Sequence, residues 1–365
     1  MNSVPDVSAD APTAADPTAP RSLGSFTTLQ LGGPPQRLVV AADVDGLVER
    51  VREAALLQSP TLILAGGSNV VIDDAGFPGT VVLVRSRGVR VVAEGAGTVT
   101  VRVEAGEPWD ELVAATVEAG WPGLECLSGI PGSTGATPIQ NVGAYGQEVA
   151  ETITSVRVYD RVADEVRTMP AEECRFGYRG SVFKHNDRWV VLSVDFRLAR
   201  SPLSTPIRYA ELARTLGVEV GDRVPLAAAR AAVLALRAGK GMVLNPADPD
   251  TRSVGSFFTN PVLDPAAYAL FRERARDAGE PPCWPGPDGV VKVSAAWLID
   301  RAGFPKGYSG PGGVAISTKH TLALTNRGGG STRALLALAA EIRDGVRERF
   351  GVTLHPEPVL VNCAL

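Results

Sequence analysis

The sequence predicts an α+β protein with more than one domain, and three observations lead there. The chain has 365 residues, enough for two or three domains with ample core. Val89 to Ala105 alternates apolar and polar side chains, the period of a half-buried hairpin. Ser331 to Phe350 instead places Leu335, Leu338, Ile342 and Val346 at helical spacing, and Gly351 stops the run.

Taken in order, residues 1–20 are mostly Ala, Pro, Asp, Ser and Thr. They hold too little apolar surface to offset ordering entropy, so a disordered tail is expected. Arg37 to Val40 reads as a short strand. Val44 to Leu57 reads as a helix, with Asp43 or Asp45 near its start. Strands follow at Leu62 to Leu64 and Thr80 to Val84. In the hairpin, Val99, Val101 and Val103 face one way and Thr100, Arg102 and Glu104 the other, which predicts one buried face. Trp109 to Ala119 reads as a helix with Pro108 in its first turn and Gly120 as its stop. Strands are expected at Ile153 to Tyr159, Glu165 to Met169 and Trp189 to Leu198. Ser201 to Val220 reads as loop, and Val224 to Ala238 as an alanine- and leucine-rich helix. A polar stretch, Asn245 to Ser253, marks a domain boundary nearby. Ser294 to Arg301 reads as a helix, Val314 to Ser317 and Thr321 to Leu324 as strands, and Val352 to Val361 as a last strand.

Bulk properties narrow the function classes. Formal net charge is −4, and no basic stripe carries interleaved aromatics, so no nucleic-acid partner is expected. Cys126, Cys174, Cys283 and Cys363 lie far apart and form no metal-ligand spacing with His185, His320 or His355. No metal is expected, and scattered thiols fit a reducing cytosol. The sequence has no apolar run that would span a bilayer and no secretory signal. A cytoplasmic protein without a membrane partner is expected.

The densest chemical signal is Ser128 to Gly146, SGIPGSTGATPIQNVGAYG. It carries Gly129, Gly132, Gly135, Gly143 and Gly146, two prolines and no charge. Successive free N–H groups in such a loop form a concave anion site without a lysine. A glycine-rich surface turn is the plainer reading, but this density of small and hydroxyl residues favours a cradle for a large anionic cofactor. A second loop, Gly66-Gly67-Ser68-Asn69, follows an apolar strand and argues the same way. Neither matches GxGxxG or GxxxxGK[ST], so neither a Rossmann site nor a P-loop is supported.

Four segments then occur in a fixed order: GGSN at 66–69, GIPGSTGATPIQNVGAYG at 129–146, FGYRGSVFK at 176–184 and GSFFTNP at 255–261. Glu357, in HPEP, follows. From about residue 21 onward the chain closely resembles the UDP-N-acetylenolpyruvoylglucosamine reductase (UDP-N-acetylmuramate dehydrogenase, MurB) family. The first two segments alone indicate only the wider flavin-binding fold of vanillyl-alcohol-oxidase (PCMH) type. The GSFF segment and the final Glu narrow it.

The resemblance implies a two-subdomain FAD-binding fold plus a C-terminal α+β substrate domain. The expected division is 21–88 joined by 351–365, then 89–243, then 244–350. It implies an FAD enzyme using NADPH to reduce the enolpyruvyl ether of a UDP-sugar, in peptidoglycan synthesis. A monomer is expected, although the sequence itself does not reveal oligomeric state. FAD would lie on Gly66, Gly67, Ser68, Asn69, Gly132, Ser133, Thr134, Gly135 and Gln140. Arg179 would polarise the substrate carboxylate, Ser256 would donate a proton, and Glu357 would steady the enol intermediate beside the arginine. Substrate contacts would come from Tyr178, Tyr209, Lys240, Asn260, Lys306 and His320. Tyr209, in RYAEL, matches a tyrosine-bearing loop of the longer family type that covers substrate. The sequence departs from the pattern in places. Ser253-Val254 replaces Asn-Ala before Gly-Ser, Gly180 replaces an Asp, and His320 stands where relatives carry Gln.

Read without the family, Arg179 is one of 36 basic residues, Ser256 a serine bonded to backbone and Glu357 a strand-end carboxylate. Two other functions share the cofactor signal. One is an oxidase of the same flavin fold, which would need a His or Tyr base rather than the serine and glutamate. The other is a non-catalytic binder of FAD or a sugar nucleotide, which leaves the trio unexplained.

Overall fold

The computed structural model describes residues 22–365, and the tail expected at residues 1–20 lies outside the described residues. Parallel strands Pro35–Ala41, Phe77–Val84 and Thr61–Leu64 form a sheet with Phe77–Val84 at its centre. The helix Val44–Leu56 covers it, capped by the Asp43 carboxylate, which accepts the Gly46 N–H at 2.7 Å. A five-stranded antiparallel sheet follows, in the order Glu165–Pro170, Ile153–Asp160, Trp189–Ala199, Thr98–Glu104, Val89–Gly95. Its inner side chains Val99, Val101, Val103, Val156, Val158 and Phe196 share one core with Leu47, Val48 and Val51 of the first helix.

A second core surrounds the helix Thr332–Phe350. Its buried stripe, Leu335, Leu338, Ala339, Ile342 and Val346, packs on the antiparallel strands Ser253–Ser256, Ala323–Asn326 and Val314–Ile316. Ser331 caps the helix start and Gly351 ends it in the left-handed conformation, φ +71°. The chain's last strand, Val359–Val361, runs parallel to Val70–Ile72. The C-terminus thus returns to the N-terminal part of the molecule.

Several expectations change. Val89–Gly95 is exposed along its whole length, because it is the sheet's outer strand; only its partner Thr98–Glu104 has the buried face. Ser201 to Val220 contains the helix Ala210–Leu216, packed by Leu212 and Ala213 against Val233 of the helix Leu226–Gly239. Pro108 lies at the N-cap of Trp109–Glu118, just before its first turn. The expected strand from Val352 is in a sheet only at Val359–Val361, since Pro356 and Pro358 have no N–H to donate. Pro265–Arg274 is a helix that sequence reading left unassigned, although Asp264 before Pro265 is a start signal.

Candidate active site

Two glycine loops meet backbone to backbone beneath a cavity of about 440 Å³. A Cβ on Gly66 would lie 2.6 Å from Gly132 Cα, and one on Gly67 (φ +61°) would lie 2.0 Å from Phe26 O. Only glycine fits either place. Ser68 Oγ locks the loops by donating to Pro131 O at 2.9 Å. The N–H groups of Gly66, Gly67, Ser68, Asn69, Gly132 and Ser133 find no backbone acceptor among the described residues. These six residues line the cavity, together with apolar walls from Leu62, Ile63, Trp109, Val190 and Val191. An anion with a flat aromatic portion suits such a cradle. Gly135 and Gln140 also line it. Thr134 does not: it is fully buried, and its N–H and hydroxyl both donate to Glu107 O, at 2.8 and 3.1 Å.

Above the cradle the structure brings Arg179, Ser256 and Glu357 to the same cavity. Each is held by a separate piece of chain. Gly177 and Gly180 exchange backbone hydrogen bonds of 3.0 and 3.2 Å around a tight turn whose third residue is Arg179. Arg179 has φ +51°, a conformation that usually falls to glycine and costs a side-chain-bearing residue about 1 kcal/mol or more. Ser181 Oγ donates to Ile139 O at 2.7 Å and Asn141 Nδ2 to Gly177 O at 3.1 Å, so the turn is clamped to the cradle.

Ser256 ends the strand Ser253–Ser256, after Gly255 with φ +74°. Glu357 is placed beside it by backbone pairing. Its N–H donates to Phe257 O at 2.8 Å, Thr259 N–H donates to His355 O at 3.1 Å, and Val359 N–H donates to Asn69 O at 3.0 Å. The HPEP segment is therefore stitched between the GSFF strand and the GGSN loop.

Arg179 Nε lies 3.1 Å from Glu357 Oε1, with both side chains largely buried. The approach is off the N–H axis, so the pair is an ion contact and not a hydrogen bond. Nη2 donates to Gly143 O at 3.2 Å. Gln140 reaches Glu357 Oε1 at 3.4 Å and accepts from Asn69 Nδ2 at 3.0 Å, joining the cradle to the carboxylate. Burial pushes the Glu357 carboxyl above its usual range, while Arg179 and Lys184 pull it down.

The six residues expected to contact substrate stand outside the cavity wall, in two groups. Tyr178 is half exposed, with its ring 4.6 Å from Lys292 Nζ, and Asn260 accepts the Ala295 N–H at 2.9 Å. In the other group, Tyr209 packs edge-on against Tyr145 at 5.4 Å, and Lys240 lies 5.7 Å from the Tyr145 ring while pairing with Glu211 at 2.7 Å. His320 is pushed down to about 4 by burial and by the charges of Lys240, Lys306 and Arg237. Sequence reading missed Arg237 and Lys184, which both line the cavity. Arg237 is one basic residue on an alanine-rich helix, with no local signal; Lys184 closes the FGYRGSVFK segment.

The descriptions of two known families match the chain: an FAD binding domain over residues 35–168, and the C-terminal domain of UDP-N-acetylenolpyruvoylglucosamine reductase over 247–361. The reductase of Salinispora arenicola is 70% identical, over 100% of both chains. That of Thermobifida fusca is 56% identical over 94% of this chain and 97% of its own. The chain belongs to the UDP-N-acetylenolpyruvoylglucosamine reductase family. Its fold is that of the crystal structure of the reductase (MurB) from Thermus caldophilus, at TM-score 0.65 and 24% identity, covering 93% of this chain and 97% of that one. The expected α+β class and the family resemblance are both borne out.

Proposed function

We propose that this family member reduces UDP-N-acetylglucosamine enolpyruvate to UDP-N-acetylmuramate with NADPH and FAD, in peptidoglycan precursor synthesis. The observation that carries the reading is the convergence of Arg179, Ser256 and Glu357, remote in sequence, on one glycine-floored cavity. Bound FAD would supply the redox chemistry, relaying hydride from NADPH to the β-carbon of the enolpyruvyl group. The free N–H groups of Gly66–Asn69, Gly132 and Ser133 would hold its diphosphate. Gly135 and Gln140 would complete the floor.

As the β-carbon gains hydride, negative charge moves onto the substrate carboxylate. Arg179 meets that charge with a fixed guanidinium in a partly dry site, where such stabilisation is strongest. Ser256 Oγ then gives its proton to the α-carbon, completing addition of two hydrogens across the double bond. Glu357 holds the Arg179 side chain in register and steadies the enol form. We assign the substrate diphosphate to Lys240 and Lys306, with His320 as an uncharged hydrogen-bonding neighbour and Tyr209 beside them, and assign Tyr178 and Asn260 to the opposite rim. The proposed division is 21–88 with 351–365 and 89–243 for cofactor, and 244–350 for substrate; pairing of Val359–Val361 with Val70–Ile72 supports the returning terminus. The same reading places a monomeric enzyme in the cytoplasm, where sugar nucleotides and NADPH are available. No helix among the described residues is long and apolar enough to cross a membrane.

The test separates two half-reactions under nitrogen. NADPH alone should bleach the yellow protein, and the enolpyruvyl sugar nucleotide should restore the colour. Recolouring by oxygen but not by that substrate would instead indicate an oxidase, and a protein that never takes up flavin would indicate neither.

A further inference from the structure

Lys184 enters the cavity from the far end of the turn that carries Arg179. Its ammonium donates to Arg179 O at 3.0 Å. That carbonyl belongs to the residue held at φ +51°, in a turn where glycine is the usual occupant. A backbone oxygen turned toward a partly buried site needs a donor, and a charged one binds it more firmly than a neutral one. We propose that Lys184 is a positioning residue for the reduction: it fixes the left-handed Arg179 so that the guanidinium faces substrate, and supplies a second positive charge to Glu357.

Two further observations agree. Lys184 makes no ion pair with a carboxylate within 4.0 Å among the described residues, so its one close polar contact is the Arg179 carbonyl. Burial lowers its pKa while Glu357 raises it, which places the two charges in each other's field. The charged and titratable groups acting on or with Glu357 are Arg179, Lys184 and the phenol of Tyr178. Of these groups, Lys184 is the one that hydrogen-bonds the Arg179 backbone, and its charge also acts on Glu357 without touching it.

The proposal rests on the reductase reading above, and its test keeps the two apart. FAD-loaded wild type, Lys184→Met and Lys184→Arg are compared by anaerobic stopped flow in each half-reaction across pH. If Lys184→Met bleaches with NADPH within about threefold of wild type but is slowed at least about tenfold in kcat with the enolpyruvyl substrate, Arg179 has lost its set position. The kinetic pKa that disappears in Glu357→Gln should also move to higher pH in Lys184→Met, because a neighbouring cation has gone. Lys184→Arg should restore that pKa and most of the rate. Equal slowing of both half-reactions, or an unmoved pKa in Lys184→Met, overturns the proposal. Should Lys184→Met fail to take up FAD, Lys184→Arg with a wild-type rate and pKa supports the charged-donor role, and Lys184→Gln with the same wild-type pKa overturns it. A wild-type enzyme that the enolpyruvyl substrate does not reoxidise sinks the parent reading instead.

Discussion

Removing a single oxygen atom from Ser256 should separate the two halves of the reaction. Ser256→Ala keeps the strand Ser253–Ser256 and the cradle, so bleaching by NADPH should stay within about twofold of wild type. Reoxidation by substrate should slow about 10²–10⁴-fold, the usual worth of a placed general acid. Stopped-flow absorbance of the flavin reads both steps, and comparable slowing of both would remove Ser256 from its role. His320 offers a test of electrostatics at the same scale. Its pKa falls to about 4 in the folded protein from an ordinary value near 6.5. The unfolded chain therefore binds more protons than the folded one between those values, and stability is lost as pH falls through that window. His320→Gln, neutral at every pH, should unfold at a temperature that declines less between pH 6.5 and 4. A constant offset from wild type over that range would show that the imidazole does not titrate as described. Three thiols will take little part in such pH effects: burial raises Cys126 and Cys174 to about 12 and Cys363 to about 11.

Among the elements, the helix Thr332–Phe350 is tied at its N-terminus to a distant loop. Asp74 accepts from Thr332 N–H at 2.8 Å and from Arg333 N–H at 2.9 Å, while Ser331 Oγ accepts from Ala334 N–H at 3.1 Å. An anionic cap satisfies the free N–H groups and meets the positive end of the helix dipole. Asp74→Ala should cost about 2 kcal/mol, the worth of such charge-assisted bonds, seen as a lower urea midpoint at unchanged slope. A loss of stability below about 0.5 kcal/mol would mean that water replaces the carboxylate freely. The tight turn at Gly177–Gly180 shows the opposite use of an element, since it holds Arg179 in an unfavourable conformation to present its side chain.

At the scale of the molecule, the cavity is walled by the parallel sheet, the Trp189–Ala199 strand of the five-stranded sheet and the Ser253–Ser256 strand together. A ligand there binds the folded chain and not the unfolded one. Stripping FAD should lower the unfolding temperature, and returning it at a hundred times its Kd should restore about 2.7 kcal/mol. Thermal unfolding followed by tryptophan fluorescence, with and without added FAD, measures this. An unchanged transition would mean that flavin does not occupy the cavity. Because Glu357 depends on Val359–Val361 pairing with Val70–Ile72, the end of the chain is part of the same cooperative structure as its beginning.

The family, the fold class and the glycine loops were legible in the sequence because they rest on local chemistry. Positive φ, close backbone approach and helical or alternating periods leave residue-level marks, as Gly67 and the Leu335–Val346 stripe do. The neighbours of those residues left no such mark. Nothing local distinguishes Arg237 from any other helical arginine, or shows that Lys184 caps the carbonyl of Arg179. The exposure of Val89–Gly95 is also invisible locally, since alternation describes a strand and not its place at the edge of a sheet. Tertiary structure alone set the distance from Arg179 to Glu357, because segments 178 residues apart meet only when the last strand returns to Val70–Ile72. Sequence determines what each segment can do; long-range pairing decides which segments do it together.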